Sequence, residues 1–254
     1  MLNLKTSTPS YMVYGELGKY PIEIDVKVRI ISFWTKLCCG KESKLSAIMY
    51  KLCFQISVED RCNFLWLNKI SNILNECGMS NICNMQTFLN STWLIHTVKL
   101  KLRDQFEQTW HSLIDDSPKA NNYKLFKTSF QMEDYFELLE HKKAIDFCRF
   151  RTPNHKLPIE QGRWDNIDRN NQICFLCNSD IGDEFHYILQ CQYFKPSRKL
   201  LLSKYYNNHL NVLKFRNLIT SKNNTVQVTK LCKFIKVFCD PGWNIPTIIY
   251  LMYL

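Results

Sequence analysis

Glycine and proline are scarce in this chain, with 7 glycines and 8 prolines among 254 residues. An all-β protein needs many tight turns, and tight turns depend on these two residues, so the scarcity argues against that class. At the same time 46% of the residues are hydrophobic and 22% are charged, which excludes wholesale disorder. The composition therefore predicts a mainly α-helical protein with a hydrophobic core.

The sequence also lacks long apolar runs. A membrane-spanning helix needs about 18 apolar residues, whereas the most apolar stretch, residues 245–254, is shorter and contains Pro246. No secretory signal follows the first residues. We therefore expect an intracellular protein without a membrane span, in the nucleus or the cytoplasm. Its 12 cysteines are then core thiols or metal ligands rather than disulfides.

Acidic residues are missing from one long segment. Residues 193–236 contain ten Lys or Arg and no Asp or Glu, while the rest of the chain holds 23 bases and 23 acids. The whole net charge of +10 therefore belongs to this segment. Such a block is typical of a surface that faces a polyanion, because each neutralised phosphate releases counterions. A solvated helical face is the alternative.

Hydrophobic residues recur at helical spacing along most of the chain. They predict helices over 21–39, 42–54, 60–77, 91–114 and 132–151, and again over 185–191, 195–206, 211–220 and 226–238. The first of these starts with an alternating pattern that also fits a strand. Gly78 stands where a helix C-cap is expected.

These elements predict a helical bundle or array, followed by a small zinc-stabilised loop–helix module and basic helices. The predicted organisation is an irregular segment 1–20, a helical region 21–152, a basic and aromatic connecting loop 153–170, a metal-binding motif 171–192, a basic helical segment 193–238 and an apolar tail 239–254.

The motif at 171–192 has the spacing of metal ligands. Cys174 and Cys177 form a CxxC pair, His186 follows after eight residues, and Cys191 after four more. Three thiolates and one imidazole are ligands that tetrahedral Zn²⁺ prefers, and four protein ligands leave no open coordination position. We predict one structural zinc ion, with Gly182 allowing the chain to reverse inside the motif. Buried cysteines beside a stray histidine are the alternative.

The other nine cysteines form no second ligand set, and we expect most of them in the core. We expect the isolated His155 to be a surface residue.

Several stretches around this motif resemble the C-terminal region of the reverse transcriptase of non-LTR, LINE-type retrotransposons. The resemblance covers about residues 11–236. The stretches are 13–18 (VYGELG), 20–21 (YP), 40–45 (GKESKL), 104–106 (DQF), 149–152 (RFRT), 154–155 (NH), 157–160 (LPIE), 162–164 (GRW) and the zinc motif itself with its 183–186 (DEFH), followed by Phe194 and Arg198.

The resemblance implies a region downstream of the polymerase, whose cysteine motif helps to hold template or target nucleic acid. It implies RNA or DNA as the partner, and it admits a separate reverse-transcriptase polypeptide. We expect no catalysis by this chain. Its Asp115–Asp116 pair lacks the aromatic residue of a polymerase motif and ends a predicted helix. After residue 192 the only acid is Asp240, so the carboxylates of a nuclease are missing.

Basic residues near the motif are the predicted nucleic-acid contacts, because lysine and arginine bind phosphates and interleaved aromatics stack on bases. The predicted set is Arg149, Arg151, Lys156, Arg163, Trp164, Lys195, Arg198, Lys199, Lys204, Lys214, Arg216, Lys230, Lys233 and Lys236. For residues 149–164 a loop packed over the zinc site, with Phe150 and Trp164 as its core, is an equal alternative. The amphipathic helix 226–238 also fits an anionic lipid surface.

Two other functions stay open from the sequence. One is a protein-interaction module, in which zinc is purely structural and the basic face binds an acidic partner. The other is a non-functional remnant of a decayed retrotransposon reading frame.

Overall fold

The structure is a computed structural model, and it describes residues 2, 4–40, 43–59, 63–86, 88, 90–220 and 224–239. Within these ranges the chain forms α-helices joined by short 3-10 and π turns, and its only β pairing is two isolated bridges. The prediction of a mainly α protein is confirmed. The chain divides into two units, a small unit (Tyr20–Trp110) and a large unit (Met1–Lys19 with His111–Leu254).

The helices are, in chain order, α1 (Ser10–Leu17), α2 (Ile22–Cys38), α3 (Leu45–Glu59), α4 (Leu65–Glu76), α5 (Ser80–Met85), α6 (Ser91–Asp116), α7 (Tyr123–Phe126), α8 (Tyr135–Leu138), α9 (His141–Arg151), α10 (Pro158–Trp164), α11 (Lys195–Leu201), α12 (Val212–Thr220) and α13 (Thr225–Cys239). The predicted helices 42–54 and 60–77 correspond to α3 and α4, and their predicted starts lie partly outside the described residues. So does the predicted tail 239–254, apart from Cys239.

The segment after Pro21 is a helix and not a strand. Pro21 precedes the first helical residue, where its fixed φ suits a helix start. Glu23 and Asp25 lie in the first turn and Lys36 lies in the last, so their charges match the helix dipole. These signals outweigh the short alternating pattern at the start of α2.

Helix α4 ends at the glycine that the sequence indicated. Gly78 has a φ of +66°, and its N–H donates to the carbonyl oxygen of Asn75 at 2.9 Å. The N–H of Met79 donates to the carbonyl oxygen of Leu74 at 2.7 Å. Together these bonds form a Schellman motif, which satisfies carbonyls that the helix end leaves open.

The core of the small unit is built from one face each of α2, α4 and α6. The predicted stripe of α6 supplies Leu94, Val98 and Leu102 to this core. Trp34 of α2 is fully buried, and its indole N–H donates to the hydroxyl of Tyr50 at 2.7 Å. The polar edge of the largest core side chain is therefore satisfied, as burial requires.

In the large unit, residues 10–17 form helix α1, so the prediction of an irregular segment 1–20 was wrong there. Its Glu16 is buried and accepts a hydrogen bond from Arg151 at 2.9 Å, and Arg151 also contacts Glu133 at 2.7 Å. The Arg151 side chain is fully buried. The predicted phosphate contact of Arg151 was therefore wrong, because its guanidinium is enclosed and neutralised by two carboxylates.

The predicted single helix 132–151 is two helices, α8 and α9, and it begins later than expected. The residues before α8 are extended because they pair with the end of α1. Glu133 donates its N–H to the carbonyl oxygen of Glu16 at 3.1 Å, and Met132 bridges to Leu17. Gly18, with a φ of +58°, permits this approach, since a Cβ there would lie 2.2 Å from the Met132 nitrogen.

Two further helix predictions near the motif were wrong in extent. Residues 158–164 were predicted as loop but form α10. Pro158 occupies the first helical turn, where proline is favoured, and therefore does not interrupt the helix. The predicted helix 195–206 ends at Leu201. Leu202 is extended, and Lys204–Asn207 form a separate 3-10 turn.

Candidate metal centre and basic surface

The CxxC pair lies on a tight turn of the chain. The N–H of Cys174 donates to the carbonyl oxygen of Asp180 at 2.9 Å, and the N–H of Asn178 donates to the carbonyl oxygen of Cys174 at 2.8 Å. Asn178 has a φ of +51°, a left-handed conformation that asparagine tolerates. This turn brings the two thiols to the same side of the loop.

His186 and Cys191 are positioned by a π-helical turn, His186–Gln190, where an ordinary helix was predicted over 185–191. The N–H of Cys191 donates to the carbonyl oxygen of His186 at 2.8 Å, five residues earlier. This wider turn stacks the two ligands one above the other, and such turns occur frequently at functional sites. The Asp183 carboxylate accepts the His186 N–H at 2.9 Å and so holds the start of the turn.

The four predicted ligands meet in space. Their ligand atoms all lie within 4.8 Å of one another, and among the described residues this is the only such group of metal-binding side chains. The Sγ atoms of Cys174 and Cys191 are 4.0 Å apart, and Nε2 of His186 is 3.2 Å from Sγ of Cys177. Tetrahedral Zn²⁺ with Zn–S bonds near 2.3 Å places two sulfurs about 3.8 Å apart. The group can hold a metal ion.

The surroundings of Cys174 favour its ionised thiolate, whereas those of Cys191 favour its neutral thiol. The hydrogen bond from Cys191 lowers the pKa of Cys174, with help from His186 and from the N–H groups of Cys177 and Leu176. The hydrogen bond to that thiolate, together with burial, raises the pKa of Cys191. Burial opposes protonation of His186, but the hydrogen bonds to Cys174 and Cys177 outweigh it and raise the His186 pKa. Backbone N–H groups aimed at a sulfur stabilise negative charge, which a metal cation also does.

Buried polar side chains hold the ligand loops in place. Arg198 was predicted as a phosphate contact, and that prediction was wrong. It is buried and donates to the carbonyl oxygens of Ile188 at 3.3 Å and Cys191 at 3.2 Å. Its guanidinium therefore braces the π turn and the residue that follows it.

His155 is also buried, and the expectation of a surface histidine was wrong. Its Nε2 lies 2.9 Å from the carboxylate of Glu184, two residues before the ligand His186. Although burial opposes ionisation, the hydrogen bond to His155 lowers the pKa of Glu184. His155 thus ties the segment after α9 to the metal loop.

Gly182 is needed for a different reason from the one predicted. Its φ is ordinary, but a Cβ at this position would lie 2.6 Å from Cγ of Pro158. The glycine therefore lets α10 pack directly against the metal loop. The packed-loop alternative for residues 149–164 is met only in part, since Phe150 is buried whereas Trp164 is 62% exposed.

The remaining predicted nucleic-acid contacts fall into two groups. Arg163 pairs with Glu160, and the ammonium of Lys214 donates to the carbonyl oxygen of Tyr205 at 2.6 Å. The others are partly or fully exposed, and they are Arg149, Lys156, Lys195, Lys199, Lys204, Arg216, Lys230, Lys233 and Lys236.

Four of the predicted contacts come together around one groove of about 710 Å³ in the large unit, between α9 and α13. They are Arg149, Lys156, Lys233 and Lys236. Sequence reasoning missed three further bases that line it, Lys5, Lys142 and Lys143. Only their basic character marked them, because 73 residues separate the end of α9 from the start of α13 along the chain. We call this feature the basic groove.

No family model, curated protein or solved structure matches the chain. Among the described helices, none is both long enough and apolar enough to cross a membrane.

Proposed function

We propose that this chain is a zinc-stabilised nucleic-acid-binding protein without catalytic activity of its own. The observation that carries the proposal is the charge distribution of residues 193–236, with ten bases and no acids. Seven of these bases are exposed in the structure: Lys195, Lys199, Lys204, Arg216, Lys230, Lys233 and Lys236. Exposed lysines and arginines without neighbouring acids are suited to phosphate contacts, which give affinity with little sequence preference.

Zinc is the proposed metal because of the donor set. Thiolate and imidazole suit Zn²⁺, whereas Mg²⁺ and Ca²⁺ prefer oxygen ligands. Cys174, Cys177, His186 and Cys191 would fill all four positions of a tetrahedral ion, so the role is structural. The metal would join the CxxC turn to the π turn that leads directly into α11.

The resemblance to the C-terminal region of LINE-type reverse transcriptases supports the same function. We propose that the chain acts as such a region, binding RNA or DNA while a separate reverse-transcriptase polypeptide supplies the polymerase. Sequence stretches, the cysteine motif among them, carry this part of the proposal.

The test is binding of labelled DNA and RNA to the zinc-loaded protein over a several-fold range of salt, measured by fluorescence anisotropy. We expect log K to fall linearly with log salt, with a slope of about −0.7 to −0.9 per phosphate contacted. Heparin should compete. A flat salt dependence would argue against phosphate contacts, and a protein partner whose binding tolerates heparin would favour the interaction-module alternative. A product that aggregates without zinc content would favour a decayed remnant.

A further inference from the structure

The basic groove has more lysines than its acids can neutralise. Seven basic and two acidic side chains line it. Both acids are paired with bases of α9: Glu140, the cap residue just before the helix, with Lys143 at 2.8 Å, and Asp146 with Arg149 at 3.6 Å. Four of the exposed lysines that line the groove form no salt bridge in the described part of the chain, although Lys142 interacts at longer range with Glu140, and we call them the groove lysines: Lys142, Lys156, Lys233 and Lys236.

The floor of the groove is uncharged. It includes Phe147, Phe150 and Ile235, which are buried core residues, and the thiols of Cys232 and Cys239. Burial raises the pKa of Cys232 to about 12, so this thiol stays neutral at physiological pH. A cleft with walls of one charge and an apolar floor concentrates the electric field, because less solvent is present to screen it. The groove therefore attracts anions more strongly than the same lysines would on a flat face.

The size of the groove limits which form of nucleic acid can enter it. Its volume of about 710 Å³ is in the range of pockets that enclose small ligands. Its walls are two helices that pack directly against each other, α9 and α13, so the groove is a cleft along their seam, and a sphere of its volume would be about 11 Å across. A double helix is too wide to enter, since its major groove alone measures about 12 Å. A single strand is narrow enough to lie between the walls.

We infer that the basic groove binds a single strand of RNA or DNA, with its phosphates against the groove lysines. This inference rests on the proposed nucleic-acid-binding function and adds the form of the ligand and its place on the protein. Lys142 and Lys156 stand on the α9 side of the groove, and Lys233 lies on α13. A strand between them has positive charge on both sides.

The test compares single and double strands on the full, zinc-loaded chain. The probes are labelled single-stranded oligonucleotides of about 12 nucleotides and a duplex of the same length. This length lies within the 4–16 nucleotides that single-strand sites commonly cover. We expect the single strands to bind at least about tenfold more tightly than the duplex, because only they reach the groove lysines.

Two matched charge reversals locate the site. Lys233→Glu with Lys236→Glu changes exposed positions on α13 that line the groove, and Lys19→Glu with Lys124→Glu makes the same change at two exposed lysines of the large unit that lie outside the groove and outside the predicted contacts. We expect the first pair to weaken single-strand binding by about tenfold or more and the second pair by about threefold or less. Circular dichroism and zinc content of each variant establish that folding is unchanged.

The outcomes separate the inference from the function on which it rests. Equal affinity for single strand and duplex, equal losses in the two double variants, or equal affinity for polyglutamate would overturn the groove as a single-strand site. Equal affinity for single strand and duplex, or equal losses in the two double variants, would leave the proposed nucleic-acid binding intact. If the zinc-loaded protein bound no nucleic acid at low salt, the proposed function would fail and the inference with it.

Discussion

Each ligand of the candidate metal centre is held by a feature of the neighbouring backbone. Asn178 closes the turn that presents the CxxC pair, Asp183 caps the start of the π turn at His186, and the five-residue hydrogen bond of that turn places Cys191. The distances between ligand atoms are already close to those of a tetrahedral zinc site. Metal binding would therefore require little rearrangement, and its free energy would add to the stability of the large unit.

The first prediction concerns the buried ligand Cys174. Cys174→Ser should reduce the zinc content from one ion per chain to none, because serine is a poor zinc ligand, and should destabilise the protein by about 3 kcal/mol or more. Elemental mass spectrometry and urea unfolding measure the two effects. Cys39→Ser is the matched control, since Cys39 is exposed and distant from the ligands in the sequence. Full zinc content in Cys174→Ser would refute the ligand set.

A second prediction tests the buried ion pair between Arg151 and Glu16. Arg151→Met leaves the buried Glu16 without its partner and should cost about 3–5 kcal/mol in urea unfolding. Arg151→Met combined with Glu16→Leu should recover part of this loss, because the unpaired buried charge is then gone. Arg216→Met, at an exposed site, should change stability by less than about 0.5 kcal/mol. A small loss at Arg151 would contradict the buried ion pair.

At the scale of elements, the helical spacing of hydrophobic residues predicted the long helices correctly. It predicted the wrong helix bounds where tertiary contacts change the course of the backbone. Helices α2, α6, α12 and α13 lie close to their predicted ranges, because each has an apolar face that repeats at helical spacing. The single helix expected over 132–151 is divided because the residues before α8 pair with the end of α1. Helix α10 was missed because Pro158 was interpreted as a break, although proline is equally typical of a helix start.

The third prediction tests that pairing through two glycines with positive φ. Gly78→Ala should cost about 1 kcal/mol, since only the left-handed backbone opposes it and the nearest atom, Nζ of Lys101, is 3.8 Å away. Gly18→Ala should cost about 3 kcal/mol or more, because its Cβ would also collide with the backbone of Met132. Thermal unfolding by circular dichroism compares the two, and equal effects would argue against the α1 contact.

At the scale of the whole molecule, the large unit combines the metal ligands with the surplus of positive charge. The ligand loops lead through the π turn into α11, and α13 contributes two lysines to the basic groove. Loss of the metal would therefore affect the segment that carries the charge. Under the proposed function, zinc and nucleic-acid affinity should be lost together.

The fourth prediction is that acid releases the metal. Zinc needs neutral imidazole and ionised thiols, and the pKa of His186 is raised above its ordinary 6.5 by the neighbouring thiols. Protons therefore compete with zinc from above pH 6.5 downward, and zinc-dependent stability should be present at higher pH and lost as the pH falls. Competition with a chromophoric chelator at a series of pH values measures the affinity. An affinity that stays constant between pH 8 and pH 5.5 would contradict ligation by these groups.

The sequence by itself determined the helical class, the long helices and the candidate ligand set. Scarce glycine and proline, repeating apolar faces and the spacing of Cys174, Cys177, His186 and Cys191 are local properties, and local properties can be read along the chain. Only the tertiary structure decided which basic side chains are available to a partner. Arg151 became a buried brace because the carboxylate of Glu16, distant in the chain, pairs with it. Arg198 became one because the π turn directs the carbonyl oxygens of Ile188 and Cys191 at its guanidinium. Arg149, Lys156 and Lys233 came to share a groove because α9 packs against α13, and no local pattern encodes that contact.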